Sequence, residues 1–122
     1  MDSLPWIKDH IGWWYDWSPQ PQGDAGNAIA VPMLWGGGTA DATDAARLSL
    51  FKSLTTVPTY IQGMNEPDCS AGGGSAGLTV AASAVLWNTL IGPKKAEGSI
   101  LISPGMCSAF PFLTLNPITL LA

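Results

Sequence analysis

The sequence predicts an α/β fold built on parallel strands, and three observations carry that prediction. Strand-like runs and helix-periodic stretches follow one another as strand, strand, helix, strand, helix, strand. Such alternation argues for βα units, in which each crossover helix returns the chain to a parallel neighbour. Residues 28–35 are apolar almost throughout, as suits a strand buried on both faces. The densest polar motif, Asn65-Glu66-Pro67-Asp68, comes directly after a predicted strand.

The first strand covers residues 11–17, an aromatic run closed by Ser18-Pro19. Residues 20–27, rich in Pro, Gly and Asn, form a loop. The second strand spans residues 28–35 and ends at Gly36-Gly37-Gly38, although Pro32 removes one ladder donor. Residues 43–54 place Ala45, Leu48, Phe51 and Leu54 on one helical stripe, with Asp41, Thr43 and Asp44 ahead as caps. A third strand, residues 59–64, runs into the polar motif. After the glycine-rich loop at residues 70–77, Val80, Ala84, Trp87 and Ile91 mark a second helix, stopped at Gly92-Pro93. Residues 99–103 are the fourth strand, ended by Pro104-Gly105. Beyond that the βα rhythm is lost. We therefore divide the chain into an α/β unit, residues 1–105, and a non-barrel apolar tail, residues 106–122, punctuated by Pro111 and Pro117.

Composition narrows the function classes. Of 122 residues, 47% are hydrophobic and 11% charged, enough apolar surface to bury a core. Six are Trp, and four of these fall in the first 17 residues, which favours a local cause such as a binding wall over general core filling. The net charge is −4 with only five Lys and Arg, so no basic stripe exists to neutralise phosphates and nucleic acid is not an expected partner. No apolar run is long enough to span a bilayer, so no membrane role is expected, and residues 1–10 carry Asp2, Lys8, Asp9 and His10 without the apolar stretch of a signal peptide. His10 has no metal-spaced partner, and the glycine runs lack the Lys-Ser or Lys-Thr of a phosphate loop; neither a metal nor a cofactor is expected. Cys69 and Cys107 each follow a predicted strand, which leaves their pairing open.

Glu66 is one of two Glu residues in the chain and stands at a strand's C-terminal end, where α/β barrels place catalytic groups. A carboxylic acid there could protonate the leaving oxygen of a glycosidic bond, a reaction that also needs a second carboxylate. Asn65 before it can reach a sugar hydroxyl, and Pro67 fixes the backbone after it. The triplet alone favours a turn carboxylate that caps a helix. Asp16 and Asp68, at the same strand ends, could bind sugar hydroxyls or serve only to order their loops.

Several blocks together tip the balance. Trp13-Trp14-Tyr15-Asp16-Trp17-Ser18-Pro19, Val31-Pro32-Met33-Leu34-Trp35-Gly36 and Gly63-Met64-Asn65-Glu66-Pro67-Asp68, followed by Leu86-Trp87-Asn88 and Ser103-Pro104, resemble in order the fungal glycosyl hydrolase catalytic domain of the alkali-sensitive-linkage type, glycoside hydrolase family 128. The resemblance covers residues 11–105. It implies a (β/α)8 TIM barrel that acts on β-1,3-glucan with retention of configuration, of which this chain would be a partial barrel, about strands 2 to 5 with their helices. Glu66 falls on the family's acid/base and Asn65 on the asparagine before it, a transition-state contact. Trp13, Trp14, Tyr15, Trp17 and Trp35 fall where aromatic residues line the glucan cleft, because pyranose rings offer apolar faces to stack on; Asp68 joins them as a substrate contact.

The family's nucleophile, a second Glu near the seventh strand, has no counterpart here. Glu97 lies in a turn at the opposite end of the strands, too far for the ~5–5.5 Å that retention requires. The resemblance therefore implies a glucan hydrolase domain inactive by itself. The rival readings are a non-catalytic glucan-binding protein, or a gene fragment without function. An extracellular or cell-wall location is implied by the family only. Unpaired edges of a partial barrel would favour self-association.

Overall fold

The structure, a computed structural model, describes residues 10–107. It is a mixed α/β arrangement with four short parallel strands: β1 (Trp13–Trp14), β2 (Ile29–Ala30), β3 (Tyr60–Gln62) and β4 (Ile100–Ile102). Helix α1 (Ala42–Lys52) connects β2 to β3. The β3–β4 connection holds α2 (Val80–Leu86), a π-helical turn (Trp87–Ile91) and α3 (Gly92–Ala96). The predicted tail, residues 106–122, lies outside the described residues beyond Cys107.

The strands pair in parallel throughout. β1 pairs with β2 through Trp13↔Ile29 and Trp14↔Ala30, and β3 with β4 through Tyr60↔Ile100, Ile61↔Leu101 and Gln62↔Ile102. A parallel bridge, Met33↔Gln62, joins the two pairs, so the four run side by side in sequence order. The predicted strand at 28–35 is split at Pro32. Val31 N donates to Trp14 O at 2.9 Å and Met33 N to Ser18 O at 3.1 Å, on the β1 side. Towards β3, Leu34 N donates to Gln62 O at 3.0 Å, while Pro32 can only accept, from Gln62 N at 2.9 Å. The missing donor interrupts the ladder without separating the strands. The first strand is also shorter than predicted: Trp17 adopts φ 61, which ends the extended backbone.

The core follows the alternation of β2. Leu34 points to a cluster with Phe51, Ile61, Met64 and Ile91, all buried, against which Leu48, Leu86, Trp87, Leu90 and Leu101 pack. Both helical segments reach this cluster, so both cover one side of the sheet, as right-handed βα crossovers require. Met33 and Trp35, with the opposite parity, form a second cluster with Ala76, joined by Tyr15, Ala40 and Leu78. Gly63 allows a close approach of sheet and helix, since a Cβ there would lie 3.0 Å from both the Trp87 ring and Pro104 N, a tight contact.

The second helix departs from its predicted form. Val80 and Ala84 of the predicted stripe are exposed, and Leu86 and Leu90 join Trp87 and Ile91 on the core side instead. The helix also passes through Gly92-Pro93 rather than stopping there. In the π turn Gly92 N reaches back to Trp87 O, and the wider ring moves the preceding carbonyls away from the Pro93 ring. Pro93 then sits in the first turn of α3, where no amide donor is needed.

Candidate functional site

The polar motif lies at the C-terminal ends of β3 and β4, and its backbone is tied on three sides. Asn65 N donates to Trp35 O at 2.9 Å, Glu66 N to Gly105 O at 2.7 Å, and Ala76 N to Asn65 O at 3.0 Å. Glu66 has φ 47, the left-handed region; Trp17 is the other non-glycine residue found there. For an L-residue that conformation costs roughly 1–2 kcal/mol. It persists where the surroundings over-determine it, and such residues gather at functional sites.

The side chains of the motif are held by the glycine-rich loop. Gly72 and Ser75 exchange backbone hydrogen bonds, N to O at 3.2 and 3.1 Å, around Gly73 and Gly74. Both central residues have positive φ, 62 and 102, so this tight reversal depends on glycine. The turn presents Gly74 O to Asn65 Nδ2 at 2.7 Å, and Ser75 Oγ donates to Glu66 Oε2 at 2.6 Å. Ser75 is 7% exposed, whereas Glu66 is half-buried. Sequence reasoning did not single out Ser75. The signal was present as a two-glycine turn with a hydroxyl directly after it, one loop beyond a candidate acid.

Asn65, expected to meet a sugar hydroxyl, uses its amide N–H to hold this loop. Asp68, expected as a substrate contact, accepts from Cys107 N at 2.8 Å through Oδ1. Next to it Cys69 and Cys107 form a disulfide with Cα atoms 5.9 Å apart. The loops after β3 and β4 are thus fastened together beside Glu66. Asp16 orders its own loop, accepting from Ser18 N at 3.1 Å and Gln22 N at 2.9 Å.

The aromatic run divides by strand parity. Trp13 and Tyr15 stack with ring centroids 6.0 Å apart and planes 18° from parallel, and Trp17 meets Tyr15 edge-on at 5.3 Å. Trp13 and Trp17 are 53% and 44% exposed, so this ladder offers open aromatic faces. Trp14, half-buried, has the other parity. Trp35 departs from its expected role as an open stacking face. It is 4% exposed, packed in the second core cluster, with the Arg47 guanidinium 4.9 Å from its ring centroid. Its place is beneath the site. Tyr15 touches the same cluster, which includes Ala76, so the ladder and the Ser75 loop share one support.

Glu97, at the end of α3, pairs with Lys94 at 2.8 Å and precedes β4, at the opposite end of the sheet from Glu66. Among the described residues no group of three or more His, Cys, Asp or Glu side chains is placed to hold a metal, and no helix is long and apolar enough to cross a membrane. A groove of about 400 Å³ runs along Leu78, Ala82, Val85 and Leu86 and involves none of the candidate site residues.

A family model described as glycosyl hydrolase catalytic core matches residues 2–113. Among solved structures, a glycoside hydrolase family 128 subgroup VII oligosaccharide-binding protein from Cryptococcus neoformans is 58% identical, with a TM-score of 0.81 over 85% of this chain and 40% of that one. Its counterpart from Trichoderma gamsii is 46% identical, with a TM-score of 0.79 over 84% of this chain and 40% of that one. A subgroup II endo-β-1,3-glucanase from Sorangium cellulosum is 31% identical, with a TM-score of 0.55 over 79% of this chain and 38% of that one. The chain therefore spans about 40% of the length of the first two structures. No curated protein matches it. With nearly all of its length matched by the catalytic-core model, the chain belongs to the glycosyl hydrolase catalytic core family, among proteins of glycoside hydrolase family 128.

Proposed function

We propose that this chain carries strands 2 to 5 of a (β/α)8 barrel and one side of a β-1,3-glucan site, with Glu66 as the acid/base carboxyl of a retaining glycoside hydrolase. The observation that carries the reading is Glu66 itself. It stands at a strand's C-terminal end, in a costly backbone conformation, with its carboxyl held by a buried hydroxyl. In this role Glu66 gives its proton to the leaving glycosidic oxygen while a second carboxylate attacks the sugar carbon. Glu66 then takes a proton from the water that releases the glycosyl intermediate. The open faces of Trp13 and Trp17, linked through Tyr15, suit successive pyranose rings. Glu97 is at the wrong end of the sheet to be the second carboxylate, so the 122-residue chain is expected to bind glucan without cleaving it. The disulfide suits an oxidising, extracellular setting such as the cell wall.

A second reading, oligosaccharide binding with no hydrolysis in any context, is favoured by the Cryptococcus and Trichoderma proteins, both of which are oligosaccharide-binding. Titration calorimetry with laminaripentaose, together with a reducing-sugar assay on laminarin, tests both. Binding should weaken about tenfold in Trp17→Ala, the loss of roughly 1.4 kcal/mol of stacking. Binding that weakens in Glu66→Gln would support a carboxyl placed against the sugar, as the acid/base role requires. Binding unaffected by Glu66→Gln would favour the second reading, and the reducing-sugar assay on this chain alone should stay blank under either. A wild-type chain that does not bind laminaripentaose sinks both.

A further inference from the structure

Asn65 and Glu66 grip, and are gripped by, one small loop. Asn65 binds it twice, through its backbone oxygen to Ala76 N and its amide to Gly74 O. The Gly73-Gly74 reversal then brings Ser75 back to the carboxyl of Glu66. The Oγ–Oε2 separation of 2.6 Å is that of a short, well-made O–H···O hydrogen bond. Among the described residues Ser75 is the one donor to that carboxyl, and Oε1 has no protein donor.

We infer that Ser75 is the positioning residue of the site: its hydroxyl occupies Glu66 Oε2 and fixes the carboxyl in one rotamer, leaving Oε1 as the oxygen offered to the sugar. The inference rests on the glucan-site reading for its consequence, though not for its geometry. A glutamate has three side-chain torsions to order, and an unsupported carboxyl would pay that entropy when ligand arrives. The buried hydroxyl has ordered it beforehand. The loop's glycines follow from the same requirement, since φ values of 62 and 102 at Gly73 and Gly74 make the reversal that delivers Ser75. Ser75 acts through Glu66 and has no contact of its own with substrate in this scheme.

Two measurements on the 122-residue chain test it. The first needs no ligand: side-chain ¹³C and coupling-constant NMR of Glu66 in wild type and Ser75→Ala. A single Glu66 rotamer in wild type that becomes averaged in Ser75→Ala supports the assignment. An unchanged rotamer overturns it, whatever the protein binds. The second is a double-mutant cycle on laminaripentaose affinity. Ser75→Ala should weaken binding about fivefold in the wild-type background and not at all in Glu66→Ala. A merely structural role for Ser75 would weaken both equally and would overturn the inference. Should wild type fail to bind laminaripentaose, the glucan reading falls and the NMR comparison alone decides the role of Ser75.

Discussion

Glu66 and Trp17 share an unusual backbone state, with φ 47 and 61, and both border the predicted cleft. At neither position does local chemistry favour it, since glycine, asparagine and aspartate are the residues that enter the left-handed region readily. At Glu66 the state is maintained by Gly105 O on its amide and by Ser75 on its carboxyl. This separates stability from function. Replacing Glu66 by Gly alone would strand the buried Ser75 hydroxyl, so the clean comparison is made in Ser75→Ala. There, adding Glu66→Gly should raise unfolding stability by about 1 kcal/mol in urea denaturation, by relief of the left-handed conformation. A loss of stability in that background would show that Glu66 is not strained. Glu66 was legible in the sequence through the matching blocks around it, since the Asn65-Glu66-Pro67 triplet alone favours a turn carboxylate. Asp16 and Asp68 each take backbone amides as partners, as short carboxylates in turns do, which is the loop role weighed beside sugar binding.

Helix α1 shows what an element adds to the site, since it carries no candidate residue yet fixes the β2–β3 spacing. Its N-terminus is doubly closed. Asp41 Oδ1 accepts from Asp44 N at 2.8 Å, and the buried Asp44 accepts from Ala40 N at 3.1 Å through Oδ2. Asp41→Ala should cost about 1 kcal/mol of stability, and Asp41→Asn should recover most of it, because either side-chain oxygen can cap. Thermal unfolding of the three proteins checks this, and laminaripentaose affinity should be the same in all. This helix was legible in sequence, since Leu48, Phe51 and Leu54 do face the core and Asp41 does cap it. The β3–β4 helix was legible only in outline. A periodic reading finds a stripe but not where the core ends: Val80 and Ala84, upstream of the π turn at Trp87–Ile91, are exposed, while Leu86 and Leu90 join Trp87 and Ile91 on the buried side. The strands were read too long where Pro32 and Trp17 break them, because extended propensity says nothing of lost ladder donors or left-handed backbone.

For the molecule as a whole, the contact that decides the site's integrity is the one between the β3 and β4 loops. Among the described residues, the short β3–β4 ladder, the Asn65↔Gly105 bridge and the Asp68–Cys107 hydrogen bond hold these loops in register beside the disulfide. The Cys69–Cys107 bond closes a loop of 38 residues that contains all of α2, the π turn and α3. By the chain-entropy relation, a loop of that size stabilises the folded chain by about 4 kcal/mol. For a domain of this size that is a large share of a typical total of roughly 5–15 kcal/mol. Cys107 lies two residues past Gly105, whose carbonyl holds the Glu66 amide, so freeing it loosens the site before the core. Reduction with a phosphine, or the Cys69→Ser/Cys107→Ser pair, should therefore lower the midpoint of thermal unfolding markedly. Well below that midpoint, it should also weaken laminaripentaose binding while leaving the far-ultraviolet circular dichroism of the helices intact. Binding unchanged in the reduced chain would mean that the strand ladder alone sets the position of Glu66, and that the disulfide serves stability and nothing else.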